Sequence, residues 1–194
     1  MTAEGRTVYI VGIKGQGMTA LAVVLKGRGW TVEGSDVADE FSTDVVLLSH
    51  HIPVHAFSEP LPRDVEFVVY STAYHPDTHP QLQEAQRREL LTLSYPEALG
   101  QLFDNVEGIA VAGTHGKTTT TAMLGVILAA AGKDPTVIAG SPVQDFHGNA
   151  RVGRSNVLVV EADEYQNKFQ HYHPQHLVIT SIEYDHPDYF PTVQ

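Results

Sequence analysis

The sequence predicts an α/β fold that consists of two parallel-sheet units, one after the other along the chain. An apolar strand, a glycine turn and a helix follow one another in this order twice, starting near residues 7 and 108. The apolar strand over 65–71 has no polar face, as expected when helices cover both sides of a parallel sheet. The pattern restarts within the polar segment 104–108, which predicts two domains, 1–104 and 105–194.

The composition excludes several classes of protein. With 12 Lys and Arg residues against 23 Asp and Glu residues, the 194-residue chain has a net charge of −11 at pH 7, and it contains no cysteine. The absence of cysteine excludes disulfides and zinc–thiolate sites, and the acidic charge argues against a nucleic-acid surface. No apolar run reaches the roughly 18 residues that cross a bilayer, and the N-terminus lacks the pattern of a secretory signal. We therefore expect a cytoplasmic protein with neither nucleic acid nor a membrane among its partners.

The first domain is predicted to contain at least three strands and two helices. Residues 7–13 form the first strand, and the glycine turn 12–17 leads into a helix over 18–26. Further strands are predicted over 30–34 and 65–71, and a helix with a charged face over 81–89.

The second domain is predicted to repeat this pattern and to add strands. A buried strand over 108–112, a glycine turn over 113–117 and a helix over 118–131 come first. Apolar strands are then predicted over 134–140, 156–161 and 176–182, each ending in polar residues. Ligands of open α/β sheets bind at the carboxyl ends of the strands, so these polar residues are candidate site residues.

The segment GTHGKTTT, residues 113–120, carries the strongest functional signal. Its glycines allow a tight turn whose amides can point at phosphate oxygens, and the following helix N-terminus adds partial positive charge. Lys117 can reach the β- and γ-phosphates, and the Thr118 hydroxyl can ligate Mg²⁺. Val111 stands where a strict Walker A loop has glycine, so this is a compact variant; the alternative is a glycine turn that only caps a helix. The predicted ATP-binding residues of this P-loop-type α/β ATPase domain are Gly113, Thr114, His115, Gly116, Lys117, Thr118 and Thr119.

The first glycine turn predicts a Rossmann-like, nucleotide-binding N-terminal domain. Gly12, Gly15 and Gly17 follow the dinucleotide fingerprint with a shift of one residue. Asp36 stands 19 residues after Gly17, at the end of the second strand, where such folds place a ribose-binding acid. Lys14 lies within the turn, so we expect its ammonium group to face a diphosphate.

Polar residues after two later strands are candidate metal ligands. Glu161 follows the run NVLVV and can complete a Mg²⁺ shell that Thr118 begins; the alternative is a solvated acidic turn. His186 follows the next strand, and taken alone it is more simply explained as a hydrogen-bonded loop histidine. The other histidines have neither cysteine partners nor the helical spacing typical of zinc sites, which favours plain surface roles.

Together, these motifs resemble the Mur ligases of peptidoglycan synthesis. The resemblance rests on VGIKGQGM, GSD, VVYSTA, AVAGTHGKTTTT, GNARVG, VVEADE and IEYDHPD, and it runs through nearly all 194 residues. The glycine turn and the GNAR segment resemble the branch that acts on UDP-N-acetylmuramate. The resemblance implies ATP-dependent amide formation through an acyl phosphate, with L-alanine as the amine, in the bacterial cytoplasm.

The resemblance also implies roles for individual residues. Lys117, Glu161 and His186 are implied as catalytic residues, and Thr118, Glu161 and His186 as ligands of Mg²⁺, which Mn²⁺ can replace. The residues implied to bind the UDP part or the muramoyl part of the substrate are Gly12, Lys14, Gly15, Gln16, Gly17, Met18, Asp36, Ser71, Thr72, His147, Asn149 and Arg151.

Departures from the family pattern keep alternatives open. Ser181 stands where the family commonly has asparagine, and Tyr165 with the following HYHP resembles the recycling ligase that attaches a tripeptide to the same sugar nucleotide. Family members have three domains and this chain ends within the central one, so we expect it to bind nucleotides without turnover, or to act as a non-catalytic binding module. Folate polyglutamylation shares the phosphate loop, but the domain over 1–104 argues against it. The sequence leaves the oligomeric state open.

Overall fold

The computed structural model describes residues 6–163 and 169–184, together with Tyr189 and Thr192. The chain divides into two compact units, Met1–Ala98 and Leu99–Gln194, and each contains its own five-stranded sheet. The predicted α/β class is confirmed. None of the helices within the described ranges has the length and apolar character that a membrane crossing requires.

The sheet of the first unit is entirely parallel. Its strands, in the spatial order β3-β2-β1-β4-β5, are β1 (Thr7–Val11), β2 (Thr31–Asp36), β3 (Val54–Ala56), β4 (Phe67–Tyr70) and β5 (Leu91–Ser94). β1 lies at the centre, with β2 on one side and β4 on the other. The chain therefore leaves β1 in one direction and later returns to its other side, which creates a crevice at the carboxyl end of β1.

The helices of the first unit bury apolar residues. α1 (Gln16–Gly27) is buried on all sides from Met18 to Leu25, α3 (Pro80–Arg87) buries one apolar side, and the short helix α2 (Asp44–Ser49) buries Leu47. The apolar core that includes α3 contains Tyr9, Val11, Leu61, Val65, Val68, Leu82 and Ala85.

The sheet of the second unit is parallel except at one edge. Its strands, in the spatial order β10-β6-β9-β7-β8, are β6 (Glu107–Ala112), β7 (Thr136–Val143), β8 (Gly148–Arg151), β9 (Val157–Glu161) and β10 (His176–Ile179). β8 runs antiparallel to β7 and forms the edge. β6 lies between β10 and β9, so the carboxyl ends of both neighbours flank the residues that follow β6.

Further helical segments occur within the described residues. α4 (Tyr95–Leu102) spans the division between the units, α5 (Lys117–Ala130) follows β6, and a short 3₁₀ helix (Gln144–Phe146) precedes β8. Gly100 in α4 is required by packing, because a Cβ atom there would lie 2.3 Å from the His171 carbonyl oxygen. The core beneath α5 contains Val111, Val137, Val157 and Val159, with Leu124 and Leu128 packed against it.

Every strand and helix that the sequence predicts is present, with ends shifted by a few residues. β3, α2, β5, α4 and β8 are additional. β3 has three residues and β5 exposes Leu91, so neither has an apolar pattern long enough to be recognised. α4 contains Gly100, which lowers the helical propensity of its segment although the packing needs it.

Candidate functional site

The glycine turn after β1 lies at the crevice of the first sheet. Gly12 adopts a φ of +81°, and its amide donates to the Ser35 carbonyl oxygen at 2.8 Å. A Cβ atom at Gly12 would lie 2.7 Å from the Tyr74 ring and 2.8 Å from the Ser71 Cβ atom. Glycine therefore lets Ser71 and Tyr74, which follow β4, approach the turn, while the substrate contacts of Ser71 and Thr72 stay predictions.

Helix α1 begins at Gln16, directly after the turn. Its N-cap residue, Gly15, offers no side chain to the first amides of the helix. Gly17 faces Tyr95, since a Cβ atom at Gly17 would lie 2.7 Å from the Tyr95 hydroxyl oxygen, and Met18 is buried. A helix N-terminus of this kind attracts anionic groups. The contacts of these residues with the UDP part of a substrate stay predictions.

Asp36 contacts the backbone of the turn. Its buried carboxylate accepts hydrogen bonds from the amide of Lys14 at 2.7 Å and from the amide of Val37 at 2.8 Å. The Tyr74 hydroxyl donates to the same carboxylate at 3.4 Å; burial and, after it, the charge of Asp36 raise the pKa of Tyr74. Asp36 therefore shapes the turn, and its contact with a ribose stays a prediction.

The side chain of Lys14 folds onto the segment that follows β2. Its ammonium group donates to the Asp39 carbonyl oxygen at 2.7 Å and lies 3.2 Å from a carboxylate oxygen of Asp44, and only 10% of the side chain is exposed. The sequence did not predict this ion pair, because Asp44 belongs to a segment without a recognisable motif. The contact of Lys14 with a diphosphate stays a prediction.

In the second unit, the phosphate loop joins β6 to α5. Gly113 and Gly116 have φ values of +127° and +78°, which favour glycine at both positions. α5 begins at Lys117, so Thr118 and Thr119 lie in its first turn, where backbone amides have no partner within the helix. The Lys117 ammonium group donates to the carbonyl oxygens of Gly113 at 2.6 Å and Thr114 at 3.4 Å. This geometry fits the predicted phosphate cradle.

The end of β10 fixes the conformation of the phosphate loop. The Thr114 amide donates to the Ser181 carbonyl oxygen at 3.1 Å, and the His115 amide donates to the Ser181 hydroxyl at 3.0 Å. The Thr180 hydroxyl donates to the His115 carbonyl oxygen, and a Cβ atom at Gly113 would lie 2.3 Å from the Thr180 hydroxyl oxygen. No sequence pattern predicts this role of Ser181, since only the order of the strands brings it beside the loop.

Thr118 and Glu161 meet at the carboxyl ends of the neighbouring strands β6 and β9. The Thr118 hydroxyl donates to Glu161 Oε1 at 2.9 Å, and the Gly140 amide donates to Glu161 Oε2 at 2.6 Å. A Cβ atom at Gly140 would lie 2.7 Å from Glu161 Oε1, so glycine leaves room for the carboxylate. The structure therefore brings together two of the three predicted metal ligands. The third, His186, lies outside the described residues.

The residues predicted to lie near the muramoyl group belong to β8 or precede it. His147 is exposed at the end of the 3₁₀ helix with a φ of 54°, and Asn149 is buried. Arg151 pairs with Val137, near the start of β7, and is therefore roughly 10 Å along the strand from Gly140. The substrate contacts of these residues stay predictions.

Arg151 belongs to an ion-pair cluster that is expected to make the stability of the protein depend on pH. The Asp134 carboxylate accepts from Arg151 at 2.7 Å and from the Arg154 amide at 3.0 Å, and these bonds lower the pKa of Asp134 to about 2 from an ordinary 3.8. Because the pKa is depressed in the folded state, the stabilisation is present above about pH 4 and is lost as the pH falls toward 2. We expect Asp134→Asn to lower the thermal unfolding midpoint at pH 7, and to do so less and less between pH 4 and pH 2.

Circular dichroism melts of both proteins across this pH range measure the effect. Asp104→Asn, which replaces an exposed carboxylate in the same unit, serves as the control and should match the wild type at every pH. A difference between wild type and Asp134→Asn that is as large at pH 2 as at pH 7 would contradict the prediction.

The two halves of the chain match two known domains. Residues 7–107 match the Mur ligase family, catalytic domain, and residues 111–194 match the Mur ligase middle domain. The chain belongs to the Mur ligase family. The family resemblance that the sequence motifs indicate is thereby confirmed for this Mur ligase chain.

Curated relatives of this Mur ligase chain bear the name UDP-N-acetylmuramate–L-alanine ligase. The protein of Desulfitobacterium hafniense is 47% identical over 184 residues, and that of Treponema pallidum is 42% identical over 194 residues. These matches cover 94% and 98% of this chain but 41% and 40% of the relatives. The chain therefore spans about two fifths of the length of the relatives.

Solved structures of Mur ligases have the same fold. The ligase of Neisseria meningitides for UDP-N-acetylmuramate and L-alanyl-γ-D-glutamyl-meso-diaminopimelate has a TM-score of 0.82 and 29% identity, covering 95% of this chain and 63% of that one. The UDP-N-acetylmuramate–alanine ligase of Thermotoga maritima has a TM-score of 0.79 and 30% identity, covering 96% of this chain and 44% of that one.

Proposed function

We propose that this Mur ligase chain supplies the sugar-nucleotide and ATP sites of a cytoplasmic ligase that joins L-alanine to UDP-N-acetylmuramate. Curated relatives with that name share 42% to 47% identity with nearly the whole chain, which supports this substrate pair. The first unit binds UDP-N-acetylmuramate, and the second binds ATP. The sequence predicts the same assignment, with UDP-N-acetylmuramate bound by residues 1–104 and ATP bound by residues 105–194.

The observation that carries the proposal is the contact between Thr118 and Glu161 beside Lys117. A glycine turn that only caps a helix needs neither a lysine at the first helical position nor a carboxylate from the neighbouring strand. In sites of phosphoryl transfer, a hydroxyl and a carboxylate at adjacent strand ends hold the metal ion of a nucleoside triphosphate. The hydrogen bond of 2.9 Å between these two side chains supports ATP binding at the phosphate loop.

The proposed reaction has two steps. In the first, a carboxylate oxygen of UDP-N-acetylmuramate attacks the γ-phosphorus of ATP, so that an O–P bond forms, the bond to ADP breaks and an acyl phosphate results. In the second, the amine of L-alanine attacks the acyl carbon, which forms the amide and releases phosphate and a proton. The amides of the first turn of α5 bind phosphate oxygens, since the amides of Thr114 and His115 already donate to Ser181, and Lys117 stabilises the negative charge on the transferred group.

The donors at the end of β9 fit Mg²⁺. A hydroxyl and a carboxylate are hard oxygen ligands, and Gly140 leaves the space in which the Glu161 carboxylate lies. The Gly140 amide holds one carboxylate oxygen at 2.6 Å and so orients the other toward Thr118. When bound there, Mg²⁺ would neutralise charge on the phosphate oxygens. His186 is proposed as a ligand of a second ion on the family pattern alone.

The turn after β1 is proposed as the site of the UDP group. α1 begins directly after the turn, so the amides of its first turn lie at the crevice of the first sheet, whereas the amides of residues 12–15 already donate within the protein. Such amides bind a diphosphate without needing many basic residues. This mode of binding suits a chain whose net charge is −11.

Calorimetry and phosphate release test the proposal. The 194-residue chain is expected to bind UDP-N-acetylmuramate and, in the presence of Mg²⁺, ATP. The full product of the gene that encodes this sequence should release phosphate when UDP-N-acetylmuramate, ATP, Mg²⁺ and L-alanine are all present. Release that does not need L-alanine would refute the proposed reaction. Release by the 194-residue chain itself would refute the expectation that this chain binds without turnover.

A tripeptide is the second candidate for the amine substrate. The Neisseria structure with a TM-score of 0.82 is a ligase for such a peptide, and the murein peptide ligase of Psychrobacter arcticus has a TM-score of 0.81. Replacing L-alanine with L-alanyl-γ-D-glutamyl-meso-diaminopimelate in the phosphate-release assay separates the two candidates. Release with the peptide and not with L-alanine would favour the recycling ligase.

A further inference from the structure

Segment 37–44 is attached to the glycine turn by polar contacts with Lys14 and Gln16. The Thr43 hydroxyl donates to the Lys14 carbonyl oxygen at 2.6 Å, and the Gln16 side chain donates to the Ser42 hydroxyl at 3.3 Å. The Lys14 ammonium group contacts the Asp39 carbonyl oxygen at 2.7 Å and the Asp44 carboxylate at 3.2 Å. We call the group formed by Lys14, Asp39, Thr43 and Asp44 the Lys14 clasp.

Asp44 has a second contact that stiffens the segment. Its other carboxylate oxygen accepts a hydrogen bond from the Phe41 amide at 2.8 Å, while the Phe41 ring lies 5.7 Å from the Lys14 nitrogen. One carboxylate therefore links the backbone of the segment to the cation of the turn. Asp44 therefore supplies the ionic contact between the two chain segments.

The charge of Lys14 is already compensated inside the protein. Only 10% of its side chain is exposed, and its nitrogen has a carboxylate and a carbonyl oxygen as partners. Moving this cation to a diphosphate would leave the Asp44 carboxylate, of which 34% of the side chain is exposed, without its partner. The backbone amides at the start of α1 bind anions without this cost.

We propose that Asp44 is a positioning residue of the nucleotide turn, and that Lys14 supports nucleotide binding through the clasp with Asp44 and not through contact with the diphosphate. This inference rests on the proposed binding of UDP-N-acetylmuramate to the first unit. It replaces the expectation that the Lys14 ammonium group faces a diphosphate. The two models predict opposite effects of removing the Asp44 charge.

The test is a double-mutant cycle with Lys14→Met and Asp44→Asn, measured by calorimetric titration of the 194-residue chain with UDP-N-acetylmuramate. Each single variant is expected to bind about fivefold or more weakly than the wild type, because each opens the clasp. The double variant should bind no more weakly than the weaker single variant. Matched controls are Lys26→Met, which removes a half-buried lysine that donates to the His51 carbonyl oxygen at the other end of α1, and Glu40→Gln, which removes an exposed carboxylate from the same segment.

Two outcomes of the titration would overturn the inference. If Lys14→Met weakens binding while Asp44→Asn leaves it unchanged or strengthens it, Lys14 contacts the diphosphate. If neither variant differs from its matched control, the clasp has no role in binding. Hydrogen exchange of the amides in β1 and β2 identifies any variant that fails to fold.

Hydrogen exchange of the ligand-free protein tests the clasp independently of the proposed function. Both single variants should raise the exchange rate of the Phe41 amide and of its neighbours in segment 37–44, with β1 unchanged. Unchanged exchange in that segment would overturn the inference even where binding is lost. If the variants raise exchange in segment 37–44 as expected but the wild type does not bind UDP-N-acetylmuramate, the proposed function is refuted. The positioning role of Asp44 in nucleotide binding is then refuted as well.

Discussion

Replacing Lys117 with alanine is expected to lower the kcat of phosphate release by about a hundredfold or more. The lysine begins α5, next to the loop proposed to bind the phosphates, where its charge would stabilise the negative charge that develops on the transferred group. Loss of one such preorganised contact costs on the order of 3 kcal/mol in the transition state. The measurement is steady-state phosphate release by the full gene product with saturating UDP-N-acetylmuramate, ATP and L-alanine.

The affinity for UDP-N-acetylmuramate separates the roles of the two units. Because Lys117 belongs to the second unit, calorimetry should show nearly the same affinity for Lys117→Ala and the wild type. Lys133→Ala removes an exposed lysine just beyond α5 and should retain the wild-type kcat. A large loss of UDP-N-acetylmuramate affinity in Lys117→Ala would show that the two nucleotide sites are assigned to the wrong units.

Sequence patterns predict the parts of the site that lie at the end of an apolar strand or in the glycine turn that follows one. Thr118 and Glu161 each follow an apolar run, and the carboxyl ends of parallel strands lie at one edge of a sheet. Their proximity could therefore be expected, and the structure places them in direct contact at 2.9 Å. The sequence does not reveal that β9 is the immediate neighbour of β6, because the order of strands depends on long-range packing.

The contacts that sequence patterns miss join polar residues of distant segments. Ser181 holds the His115 amide, and Asp44 holds the Lys14 ammonium group, yet neither pair shows a periodicity or a spacing that links its members. Because its ammonium group is positively charged, a lysine in a glycine turn is expected to have an anionic partner. Whether that partner is a ligand or a carboxylate of the same chain depends on the fold of segment 37–44. The same holds for Arg151, whose predicted substrate role competes with the ion pair to Asp134.

Replacing Glu161 with glutamine is expected to lower phosphate release by about a hundredfold or more, since the metal ion supplies several kcal/mol of charge stabilisation in such reactions. Glutamine keeps the shape of the side chain and an oxygen that can accept from the Gly140 amide, but it removes the charge that would attract Mg²⁺ to the proposed site. The Mg²⁺ concentration required for half-maximal release should therefore rise. Phosphate release measured over a series of Mg²⁺ concentrations gives both quantities.

Glu107→Gln is the matched control for this substitution. Glu107 begins β6, whereas Glu161 ends the neighbouring strand β9, so the two carboxylates lie at opposite ends of the same strand pair. The control should keep the wild-type rate and Mg²⁺ dependence, because Glu107 lies at the end of the strand pair away from the phosphate loop. If Glu161→Gln slows release without changing the Mg²⁺ dependence, Glu161 orients the Thr118 hydroxyl and the loop, and the metal ion is held by other residues.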